Sequence, residues 1–203
     1  MEFTLKRNAQ VVAYLLLVLV VTQAVFTALF NAGIAGPRPY IWGLEGVLFT
    51  FLAAFAGAAL VQAKNYHLGW SAIAFSAVLN VVQVGIGLKL FGPFGGVAQQ
   101  LEGAGPLIGA VLALSFMIYN AAKILLGLAA LVFGMAKMTA GSKTLGGLTV
   151  LAGVIALVAN SILIIFGRGA FLPPPVAGAS GVVATVLLAL CLINLVHLSL
   201  IHI

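Results

Sequence analysis

Apolar residues fill six long runs of the chain, and polar residues gather at the breaks between them. The runs cover 10–31, 40–62, 68–90, 107–136, 145–170 and 177–201, each near the ~20 residues a helix needs to cross a bilayer core of ~30 Å. None alternates polar and apolar positions as the ~10-residue strands of a membrane barrel do. The pattern therefore predicts helices. Helix-ending residues mark the breaks: Gly36-Pro37-Arg38-Pro39, Lys64-Asn65, a glycine-rich stretch from Phe91 to Pro106, Gly141-Ser142-Lys143 and Pro173-Pro174-Pro175. The glycine-rich stretch is expected to be a flexible loop, with a re-entrant segment as the alternative. Lys6 and Arg7 precede the first run as they would a signal peptide, but the run exceeds the usual ~7–15-residue apolar core of a signal. It is expected to remain as the first helix.

Composition turns these helices into a membrane protein. Of 203 residues, 64% are hydrophobic and 6% charged, and mean hydropathy is +1.27. A soluble domain carries about 25% charged residues, so most of this surface must face lipid. The expected fold is an all-α integral membrane protein: one polytopic domain over 1–203, a bundle of about six transmembrane helices with no soluble domain. The first partner is the lipid bilayer. Small residues four apart, at Ala53/Gly57, Ala54/Ala58 and Gly105/Gly109, allow close helix approach. They suit packing within the bundle, a homo-oligomer or a larger membrane complex equally.

Nine basic and three acidic residues give a net charge of +6, but the cations are scattered singly and form no nucleic-acid stripe. On a membrane protein they report orientation. Lys6, Arg7, Lys64, Lys137 and Lys143 fall on one side, and Arg38, Lys89 and Arg168 on the other. The excess predicts a multi-pass protein of an inner membrane with both termini cytoplasmic. The single cysteine, Cys191, lies in an apolar run and reads as a small buried residue.

Polar residues within the runs narrow the function. Gln23, Thr27 and Asn31 share a helix face, as do Ser76, Asn80 and Gln83. Ser115, Tyr119 and Lys123 form a third stripe with Asn120 beside them; Asn160 and Ser161 follow, then Thr185, Asn194 and His197. An unpaired amide in hydrocarbon costs several kcal/mol, so these stripes must face one another or a wet centre. Asn80/Gln83, Asn120/Lys123 and Asn194/His197 repeat one local spacing, a faint trace of the inverted repeats from which transporters are built.

Two ionisable groups lie within runs. Lys123 falls near the middle of the fourth, where a lysine costs about 2.5–3.5 kcal/mol on insertion scales. Glu45 falls near the outer end of the second, and the helix rise separates the two by roughly 15 Å of depth. Lys89 matches Glu45 better in depth and is the expected structural partner, which leaves Lys123 without an acid. A lysine so placed is either proton-responsive or a receptor for an anion. Snorkelling by a sliding helix would push the apolar turns after Lys123 into water.

Other chemistry is weaker. Gly178-Ala179-Ser180-Gly181 resembles the serine motif of intramembrane rhomboid proteases, but roughly 25 Å of helix separates Ser180 from His197, beyond reach for a nucleophile and its base. His67, His197 and His202 lack ligand spacing, so no metal or haem site is expected, and no cofactor is identified. An enzyme is the least expected class. The leading expectation is a transporter or channel for a small solute or anion, lined by Lys123, Tyr119, Asn120, Asn80, Gln83, Asn160, Asn194 and His197. The alternative is a non-catalytic subunit of a larger complex, or a binder of lipid, quinone or pigment between helices.

Overall fold

A computed structural model describes residues 3–98, 100–167 and 173–195. These residues form helices and no strand: α1 (Leu5–Asn31), α2 (Arg38–Gln62), α3 (His67–Ile86), the short α4 (Gly95–Ala98), α5 (Gly105–Thr139), α6 (Lys143–Phe166) and α7 (Pro174–Leu195). All but α4 are long and apolar enough to cross a membrane, as a multi-pass membrane protein requires.

Two boundaries depart from the hydrophobic pattern. The third run does not give way to a flexible loop at residue 91. From Gly87 to Phe94 it widens into π-helical turns, with the Gly95 N–H bonded to the Leu90 carbonyl five residues back. Pro93 has no N–H to give an α-helical ladder, and the wider turns carry the backbone past it. The chain stays helical through Ala98. The second departure is the length of α5, 35 residues with Pro106 in the first turn, where a missing N–H costs nothing. At about 52 Å it outreaches a bilayer core.

Long neighbours in sequence run antiparallel, and α5 and α7 run parallel. Helix α1 packs on α2 and α7, α3 on α2 and α5, and α6 on α5 and α7, while α5 and α7 also touch. Leu16, Leu52, Ile73, Phe133 and Leu188 fill the centre, fully buried, and Trp70 meets the Phe133 ring edge-on at 5.0 Å. The α5–α6 seam is the closest. A Cβ on Gly127 would stand 2.8 Å from the Gly153 carbonyl oxygen, and one on Gly134 2.9 Å from that of Gly146. These glycines recur every seven residues, two turns on one face. The four-residue pairs expected to pack do less, since Gly57, Gly105 and Gly109 face open space.

At the end where α1 begins, Asn8 Nδ2 donates to Gln62 Oε1 at 2.8 Å and Gln62 Nε2 donates to the Phe3 carbonyl at 2.7 Å. These bonds clasp α1 to the end of α2. Near the same end Thr149 Oγ1 and the buried Cys191 Sγ lie 3.1 Å apart, joining α6 to α7. Lys137 is buried in the last turn of α5, where the carbonyl end of a helix favours a cation.

Candidate functional site

A second polar layer lies toward the opposite end. It starts from two consecutive residues of α1, Thr22 and Gln23, whose side chains diverge because successive helical positions differ by about 100°. Thr22 turns to α2, where its hydroxyl donates to Glu45 Oε1 at 2.9 Å. Gln23 turns to α5. Its Oε1 accepts from Lys123 Nζ at 3.1 Å, and its Nε2 donates to the Tyr119 hydroxyl oxygen at 3.0 Å. The Lys123 ammonium also sits 5.1 Å from the centre of the Tyr119 ring, a cation–π contact.

Glycines on α7 make room for this lysine. A Cβ on Gly181 would come 2.7 Å from Lys123 Cδ, and one on Gly178 3.6 Å from the Tyr119 hydroxyl. The segment that resembles a protease motif is thus a groove for the lysine stem. Ser180 donates to the Ala177 carbonyl of its own helix at 2.8 Å.

The expected Glu45–Lys89 pair does not form. Lys89 is exposed, the Glu45 carboxylate takes the Thr22 hydroxyl, and Lys123 is the cation whose field reaches it. Gly46 packs on Val84, where an added Cβ would lie 3.2 Å from Val84 Cγ1, and Gln83 Nε2 donates to Ser115 Oγ at 3.4 Å. Glu45, Gln83 and Ser115 therefore share a layer about one turn from Tyr119. Lys123 stands eight residues further along α5 than Ser115, about 12 Å by the helix rise, so most of the expected depth separation remains. Helix α1 bridges it, with Thr22 on Glu45 and Gln23 on Lys123. Helical side chains lean toward their own N-terminus, so the Lys123 ammonium leans toward the Glu45 layer.

The amides divide into two groups. On α3, Asn80 Nδ2 donates to the Ser76 carbonyl at 2.9 Å, and Ser76 Oγ donates across to the Ala122 carbonyl at 2.9 Å. That side is interhelical glue. The other group sits on the glycine seam, where Asn120, Gly127 and Gly134 on α5 mirror Gly146, Gly153 and Asn160 on α6. Because the helices are antiparallel, the touching glycines place both asparagines at one end of the seam. Asn160 Nδ2 donates to the Ala156 carbonyl at 2.7 Å, while its buried Oδ1 has no partner. Asn120 is 6% exposed, and its amide meets no hydrogen-bond partner among the described residues.

The structure thus gathers Lys123, Tyr119, Asn120 and Glu45, with Asn160 adjoining and Asn80 and Gln83 bonded at the α3 side. No known protein family, curated protein or solved structure matches this chain. Its chemistry must be read from these side chains. Asn194 stands about 20 Å along α7 from Gly181, so it does not belong to this layer, and His197 lies outside the described residues. Thr22 and Gly181 were not foreseen as parts of a site, and Gln23 was visible only as one member of a polar stripe.

An aromatic stack roofs the layer. Trp42 stands one turn before Glu45 and Phe26 one turn after Thr22. Their rings stack at 4.9 Å with 13° between planes. Gly87, at the start of the π-helical turns, lies against the indole: a Cβ there would come 2.7 Å from Trp42 Cζ3.

Proposed function

We propose that this protein carries a small anion across the membrane, with Lys123 as its receptor. The observation that supports this is a lysine only 4% exposed whose ammonium donates to a neutral amide, Gln23, rather than to a carboxylate. An opposite charge about 4 Å away is worth on the order of 4 kcal/mol at an effective dielectric of 20. Further donors stand beside it. The Tyr119 oxygen accepts from Gln23, so its own proton is free to give, and the Asn120 amide is uncommitted. A buried cation ringed by neutral donors is suited to an anion.

The surroundings favour a carrier over an open channel. Trp42 and Phe26 cover the layer on one side, and on the other Leu16, Ala130, Leu188 and Leu192 are fully buried. Passage then requires the helices to rearrange. The cations sort as the positive-inside rule asks for cytoplasmic termini: Lys6, Arg7, Lys64, Lys137 and Lys143 lie at the end where α1 begins, Arg38 and Lys89 at the other. In intact cells a maleimide that cannot cross membranes is expected to label Gly96→Cys and spare Asn65→Cys; the opposite pattern inverts the orientation.

Proteoliposomes under a potassium chloride gradient test the transport reading. Chloride efflux without matching potassium efflux is the expected result. Potassium movement, or no ion movement from well-inserted protein, would overturn it. A second reading, a non-catalytic subunit, draws on an apolar depression of about 340 Å³ along α6 at Val154, Ile155, Val158, Ala159 and Ile162. Native mass spectrometry after gentle extraction distinguishes it by a stoichiometric second chain.

A further inference from the structure

We infer that Glu45 takes up a proton with each anion, so that the protein is a proton–anion symporter; this rests on the anion reading of the Lys123 site. The first ground is hydrogen-bond geometry. The Thr22 hydroxyl oxygen lies 2.9 Å from Glu45 Oε1 and 3.0 Å from the Leu19 carbonyl oxygen, yet a hydroxyl has one proton to give. With Glu45 ionised, that proton goes to the carboxylate. With Glu45 protonated, the carboxyl donates to Thr22 Oγ1 and Thr22 donates to Leu19. Both states are satisfied without moving a heavy atom. Thr22 is therefore a holder that accepts either form of the acid.

The second ground is charge balance. Glu45 is 8% exposed and Lys123 4%, and together they leave the layer neutral. Little else titrates nearby. On α1 the nearest such group is Tyr14, exposed and two turns away; α3 offers His67, at its far end. Lys89 on the π-helical turns is exposed, and Arg38 at the head of α2 stacks over the Phe30 ring at 5.3 Å. Tyr119 is reached only across Gln23. A monovalent anion bound at Lys123 would leave one uncompensated negative charge in an apolar interior, which is strongly unfavourable. A proton on Glu45 cancels it. That proton is drawn from water on the entry side, forms an O–H bond to the carboxylate, and leaves to water on the exit side as the anion leaves. One proton accompanies one anion, and the cycle moves no net charge.

Proteoliposomes loaded with a pH dye and given an inward chloride gradient test this. Wild type is expected to acidify the lumen by one proton per chloride, at a rate unaffected by valinomycin and potassium. In Glu45→Gln, chloride entry is expected to lose its acidification and to become dependent on valinomycin. Chloride entry into wild-type vesicles without acidification would overturn the proton coupling and leave the anion reading standing. Acidification by Glu45→Gln equal to wild type would overturn it as well. Absence of any chloride entry would remove the anion reading and the coupling together. Should Glu45→Gln fail to fold, the wild-type proton-to-chloride ratio decides alone.

Discussion

Replacing Gly153 by alanine separates close helix packing from mere helix propensity. The added Cβ would lie 2.6 Å from the Gly127 carbonyl oxygen, 2.9 Å from the Leu131 amide nitrogen and 3.2 Å from the Ala130 Cβ. Two of these neighbours are backbone and cannot swing aside. Restoring ordinary ~3.5 Å contact means opening the seam by roughly 0.9 Å, and a gap of that size loses a quarter to a half of each contact's attraction. Overpacking of this kind costs about 1–3 kcal/mol. Alanine returns ~1 kcal/mol in helix propensity, so Gly153→Ala is expected to lose about 0–2 kcal/mol. Gly147 on the same helix has nothing within 4 Å of its would-be Cβ, so Gly147→Ala gains the propensity alone. Unfolding in mixed micelles with rising dodecyl sulfate, followed by tryptophan emission, measures both. A Gly153→Ala protein no less stable than Gly147→Ala would refute the α5–α6 seam as described.

Two further predictions follow from single contacts. Gly87→Ala is expected to displace the indole of Trp42, because its Cβ would meet that ring at 2.7 Å, and so to shift tryptophan emission; Gly85→Ala, with open space around it, is expected to leave the spectrum unchanged. Cys191 is fully buried against Thr149, so a polar thiol reagent is expected to react only after dodecyl sulfate unfolds the bundle, and prompt labelling of the native protein would misplace α7.

Much of the fold was legible because lipid imposes a coarse rule: a run of about 20 apolar residues must be a helix. The rule says nothing of relative level. Depth along the helices gave no sign that two consecutive residues of α1, Thr22 and Gln23, link Glu45 to Lys123. Pro93 read as a helix end because an α-helix cannot hold it, whereas a π-helical turn can. Lys123, Tyr119 and Asn120 were legible because three polar groups in one stretch of hydrocarbon need partners. Gly181 was not, since a glycine's part in a site is the space it leaves, which only the opposing helix defines. Asn194 has the right chemistry at the wrong height.

The most direct test compares the two buried lysines of α5. Lys123 and Lys137 are each 4% exposed and lie on the same helix face, four turns apart. One donates to Gln23 within the polar layer; the other sits at a helix C-terminus that already favours a cation. Chloride flux into proteoliposomes, measured side by side for Lys123→Met and Lys137→Met after Cys191 protection has verified folding, is predicted to fall at least about tenfold in the first, equivalent to ~1.4 kcal/mol, and to stay near wild type in the second. Wild-type flux in a folded Lys123→Met protein, or equal loss in both variants, would contradict the assignment of Lys123 as the anion receptor.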